Sequence, residues 1–93
     1  MLFTQKTSIE APTQVTFTIY PNPVNDVLTV ERSTTDRALI EIFSSNGSLA
    51  LIQQVEMNET KIEVDVTVLP MGVYLIRLIE GQSVVTQRFV RDN

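Results

Sequence analysis

The stretch that decides the fold runs from Thr18 to Val30, TIYPNPVNDVLTV. Two short runs of strand-forming residues flank a corner made of two prolines, two asparagines and an aspartate. Pro21 and Pro23 fix their own φ near −65° and bias Tyr20 and Asn22 towards extended backbone, while Asn25 and Asp26 can close a turn through their side chains. A stiff corner that feeds one strand into the next is a device of all-β proteins.

The pattern set by Val27–Val30 continues along the chain. Runs rich in Val, Ile, Thr, Phe and Tyr alternate apolar with polar residues, the mark of half-buried strands. Seven are predicted: Gln14–Tyr20, Asp26–Glu31, Arg37–Ser44, Leu49–Glu56, Lys61–Thr67, Val73–Ile79 and Val84–Arg91. Breaker clusters separate them: PNPVN, RSTTD, SSNGS, MNET, LPMG and EGQS. No window holds an apolar stripe of period 3.6, so no helix of any length is expected. Seven short antiparallel strands with regular turn signals predict an all-β fold, a seven-stranded antiparallel immunoglobulin-like β-sandwich, in preference to a closed barrel. The alternation assigns Leu28, Val30, Ile40, Ile42, Ile62, Val64, Tyr74, Ile76, Leu78 and Phe89 to the shared core. Residues 1–13 are polar, lack alternation and hold Pro12 near their end, so they read as a linker tail before a domain over residues 14–93.

Composition narrows the function. The 93 residues include neither cysteine nor histidine. That removes a disulfide framework, the usual zinc ligands, the commonest general base and the best nucleophile. Seven cations against eleven acids leave a net charge of −4, with the cations dispersed. A phosphate backbone needs a concentrated positive surface, so no nucleic-acid partner is expected. No apolar run approaches the length of a bilayer span. The opening MLFTQKTSIE lacks a basic region followed by an apolar stretch and does not read as a secretory signal peptide, so an exported form needs that signal elsewhere.

The remaining motifs read as folding chemistry. Asn46-Gly47 is a type I′ hairpin signal. In VTVLPMGVYLIRL, Val66–Leu78, Leu69 is the apolar plug under a turn shaped by Pro70 and Gly72, and Tyr74 enters the sandwich with its hydroxyl near an edge. Asn22, Asn25 and Asp26 carry oxygens but only one carboxylate, too few for a calcium site, so no metal or other cofactor is expected. Glu63 and Asp65 fall on one strand face that should meet solvent, and paired-carboxylate catalysis has no cleft to work in. The tripeptides Asn46-Gly47-Ser48 and Asn58-Glu59-Thr60 fit the N-glycosylation pattern and acquire meaning only in a secreted eukaryotic protein.

Taken in order, YPNPVNDVLTV, IEIFSSNGSL, VDVTVLPMGVYLIRL and the closing QRFVR resemble the type A C-terminal sorting domain of the Bacteroidetes type IX secretion system, from Thr18 to Arg91. The resemblance implies an immunoglobulin-like sandwich at the C-terminus of a larger cargo. The cargo passes through the periplasm and is taken across the outer membrane by the type IX machinery. A sortase-like protease then removes the domain and joins the cargo to anionic lipopolysaccharide at the cell surface. It also implies the sorting motif: Tyr20, Pro21, Asn22, Pro23, Asn25 and Asp26 in front, Leu69, Pro70, Gly72 and Tyr74 in the middle, Arg88, Phe89, Val90 and Arg91 at the end. Met71 departs from the usual Ala or Ser, and the chain ends in Arg-Asp-Asn where a lysine is usual. The alternative function is an immunoglobulin- or fibronectin-like accessory module that binds carbohydrate or protein. It ranks second because the sequence has no tryptophan and few aromatic residues.

Overall fold

The computed structural model describes residues 15–93. The predicted linker over residues 1–13 and the first residue of the first predicted strand, Gln14, lie outside the described residues. Seven strands follow in order: β1 (Phe17–Tyr20), β2 (Val27–Arg32), β3 (Ala38–Ser44), β4 (Leu49–Val55), β5 (Lys61–Asp65), β6 (Gly72–Glu80) and β7 (Ser83–Arg91). They form two antiparallel sheets, β1-β2-β5 and β4-β3-β6-β7. The described residues contain no helix.

Period two is visible in burial. On β2, Leu28, Val30 and Arg32 point inward while Val27, Thr29 and Glu31 do not; on β6, Tyr74, Ile76, Leu78 and Glu80 do the same. All ten residues expected in the core are buried, joined by Phe17, Val24, Val55, Val66 and Leu69. Each large apolar side chain withdrawn from water contributes about 1.5–3 kcal/mol, so the inner faces of the two sheets cannot separate cheaply. The chain crosses between sheets after β2, β4 and β5, which sets β2 beside β5 and β3 beside β6, as an immunoglobulin-like sandwich requires.

The β3–β4 hairpin differs from the type I′ expectation. Gly47 has φ of +91°, but Asn46 is absent from the described residues with positive φ. Ser44 N donates to Ser48 O at 2.8 Å, leaving a three-residue loop, and the strand register shifts so that Ile42 faces Leu51 while Phe43 faces Leu49. Asn46 is held by its side chain, whose Oδ1 accepts from Ser48 N at 3.0 Å and Ser44 Oγ at 2.5 Å. A side chain that bridges the loop spares its own backbone the left-handed conformation, and Gly47 alone takes it.

One end of the sandwich is closed by a buried ion pair. Arg32 Nη1 lies 2.7 Å from Glu80 Oε2, with the two side chains 0% and 7% exposed. Arg32 also donates to the carbonyls of Glu59 and Glu56, and Thr34 Oγ1 donates to Glu80 Oε2. The guanidinium thereby ties β2, the β4–β5 connection and the end of β6 together. Breaking such a pair strands a buried charge, so Glu80→Ala should lower stability by about 3 kcal/mol or more, whereas Glu80→Gln, which keeps an acceptor, should cost less. Urea unfolding checks this, and equal midpoints for wild type and Glu80→Ala would show that the pair is not a latch.

Candidate functional site

The other end of the sandwich carries the three segments of the expected motif. The corner between β1 and β2 contains two cis peptide bonds, Tyr20–Pro21 and Asn22–Pro23. Val24, in its middle, is fully buried, while Pro21, Asn22, Pro23, Asn25 and Asp26 are exposed. Burying Val24 seats the corner and turns its polar residues outward.

The corner is stitched to β7. Asn22 Nδ2 donates to Arg88 O at 3.3 Å, and Asn22 Oδ1 accepts from Val90 N at 3.0 Å. Its carboxamide thus presents a donor and an acceptor to β7, as a residue of a paired strand would. Val24 carries the contact on with backbone bonds: its N–H donates to Val90 O at 2.9 Å and its carbonyl accepts from Asp92 N at 2.8 Å, a parallel bridge opposite Arg91. Asp26 completes the seam. Its Oδ1 accepts from Val27 N at 2.7 Å, and its carbonyl accepts from Val66 N at 2.9 Å.

The middle segment packs under the same seam. Leu69 is buried, and its N–H donates to Val66 O at 3.0 Å. Tyr74 is 4% exposed and spends its hydroxyl on Pro70 O at 2.5 Å. Its ring stacks on Phe89 with centroids 5.6 Å apart, and Tyr74 and Phe89 are cross-strand partners on β6 and β7. The expected plug and the edge-seeking hydroxyl are therefore both parts of one turn.

The arginines of the last strand differ. Arg91 is half-buried; its Nε donates to Val66 O at 3.0 Å and its Nη1 to Asp92 O. Arg88 is exposed. Nearby, Thr67 donates both its hydroxyl and its N–H to Asp65, and these bonds, helped by the charge of Arg91, hold the Asp65 carboxyl below its ordinary value. Glu63 and Asp65 are exposed on β5, as the alternation predicts.

The structure thus brings front, middle and final segments to one end, through two residues the sequence reading did not single out for it, Val24 and Val66. The only signal for Val24 was an apolar residue enclosed by polar ones, in a corner where alternation does not apply. Among the described residues, no group of three or more His, Cys, Asp or Glu side chains is placed to hold a metal ion. Of the described aromatic residues, Phe17, Tyr74 and Phe89 are buried, Phe43 is half-buried and Tyr20 is exposed, so no cluster of exposed rings forms among the described residues.

The family model for the secretion system C-terminal sorting domain matches residues 18–92. The chain belongs to that family. It is a type IX secretion sorting domain, and the matched span begins at β1 and ends just past β7, so it takes in all three segments of this end. No curated protein matches the chain. The family is one of sorting signals and not of enzymes. Membership implies export to the cell surface or extracellular space in Bacteroidetes through an interaction with the type IX machinery.

Gly72 of the sorting domain has φ of +155°, and a Cβ there would meet only Tyr74 Cε2, at 3.9 Å. The space is adequate, so the cost of a side chain is conformational. Gly72→Val should lower stability by about 1–3 kcal/mol, seen as a lower denaturation midpoint. An unchanged midpoint would show that the backbone relaxes without penalty.

Proposed function

We propose that the end of the sandwich carrying Tyr20–Asp26, Leu69–Tyr74 and Arg88–Arg91 is the surface the type IX machinery reads. The single observation that supports it most is the joining of the front corner to the last strand through Asn22 and Val24. Segments distant in sequence become one rigid surface, which a folded cargo carries intact to the outer membrane. Leu69, Gly72, Tyr74, Phe89 and Arg91 hold that surface in shape. Tyr20, Pro21, Asn22, Pro23, Asn25, Asp26, Pro70 and Arg88 display it, with Arg88 as its exposed cation.

In this reading residues 14–93 are the sorting domain and residues 1–13 are the tail of the connection to the cargo. The cargo transits the periplasm before the machinery engages the domain. A sortase-like protease then cuts within the connection and attaches the cargo to anionic lipopolysaccharide. The domain itself performs no catalysis.

The test appends residues 14–93 to a fluorescent reporter bearing its own inner-membrane signal, in Bacteroidetes strains with and without the type IX machinery. Reporter should appear outside the cell only when the machinery is present, and Arg88→Ala should reduce export without shifting the thermal midpoint. Equal retention of a folded fusion in both strains would contradict the function. Wild-type export by Arg88→Ala would remove that residue from the recognition surface.

A further inference from the structure

Exposed positions of turns ordinarily carry polar residues, proline or glycine. The connections over residues 33–37, 45–48 and 81–82 follow that rule, and residues 56–60 depart from it only at Met57, alone among polar neighbours. The β5–β6 connection, residues 66–71, is different. It exposes Val68 and Met71, which at 70% and 63% are the most exposed large apolar side chains among the described residues. None of its six residues is charged.

Those two side chains stand on a backbone held from several sides. Val66 is buried; its N–H donates to Asp26 O, and its carbonyl accepts from Leu69 N and from Arg91 Nε. Thr67 is bonded to Asp65 through its hydroxyl and its N–H. Leu69 is buried between the two exposed residues, and the Tyr74 hydroxyl donates to Pro70 O at 2.5 Å. The loop is therefore ordered before any partner arrives, so docking on it loses little conformational entropy.

We propose that Val68 and Met71 dock this loop into an uncharged, apolar cleft of the type IX machinery. The inference rests on the reading of this end as the recognised surface, and it adds two residues that the motif does not contain. Three observations favour that occupant. Membership of the family implies an interaction with the machinery, and the loop is continuous with the rest of this end, since Val66 is bonded to Asp26 of the corner and to Arg91 of β7. The lack of charge on the loop fixes the chemistry of the cleft, because a charge buried against it would find no partner. A second copy does not offer such a cleft in the hollows beside Glu31, Arg32 and Thr60 or beside Thr34, Asp36 and Glu80, which are lined mainly by hydroxyl and charged side chains. Met71 stands where Ala or Ser is usual, and its longer thioether chain adapts to an irregular apolar surface, which makes methionine common at interfaces.

The test uses the reporter carrying residues 14–93 in the strain with intact machinery. Val68→Thr and Met71→Gln nearly keep size and shape but make both side chains polar. Together they should lower export about tenfold or more with an unchanged thermal midpoint. Val68→Ile with Met71→Leu should keep export, and Met57→Gln, the same change on an exposed methionine at the other end, should leave it unaltered. Full export by the polar pair, in a strain where Arg88→Ala is impaired, would overturn the proposal while the export reading stands. Equal loss from Met57→Gln would also overturn it, and so would self-association of the chain in sedimentation that Met71→Gln abolishes, which would give the loop to a second copy. An unaltered reporter retained by the intact strain would sink the export reading and this inference with it.

Discussion

The end of the fold proposed for recognition depends on a carboxamide that behaves as a piece of β-strand. A sheet edge leaves backbone donors and acceptors without partners, and each needs one from water or from the chain. On β7 the partner is Asn22, whose two bonds reach 66 and 68 residues along the sequence. Val24 then adds two backbone bonds and a fully buried side chain. Without this seat the two-proline corner would be a stiff loop at the sandwich's margin. With it, the first and last strands share one seam, and Val66 is drawn in through Asp26 and Arg91.

The two ends of the sandwich solve closure by different chemistry. At one, a buried guanidinium gathers a carboxylate and two carbonyls. At the other, the Asn22 amide and backbone bonds, flanked by Asp26 and Arg91, leave the polar side chains of the corner turned to solvent. The first arrangement is inward and structural. The second leaves a shaped, exposed surface, the kind of surface a signal read by another protein needs, while the family match spans both ends alike.

Most of the strand pattern was legible because a half-buried strand repeats every two residues, and that period survives any uncertainty about which strands neighbour each other. The core residues of β2, β3, β5 and β6 follow from it directly. Val24 escaped because it lies in a turn, where burial depends on a distant strand. Arg32 escaped because a charged residue is ordinarily exposed, and only its partner on β6 makes burial tolerable. The Asn46 loop was misread through the same gap: the dipeptide signals a hairpin, but side-chain bonds chose the loop type. The motif residues could be named by resemblance, yet their division into supports such as Tyr74 and displayed groups such as Arg88 needed coordinates.

The most direct measurement is amide hydrogen exchange in wild type and Asn22→Ala, followed at Val24, Val90 and Asp92. If one side chain seats the corner, all three amides lose protection together in the variant, while those of the core ladder, such as Val30 and Ile40, keep theirs. A loss confined to Val90 would mean that the corner is held by Val24 and the turn alone. That result would contradict the account of this end of the sandwich as a single stitched unit.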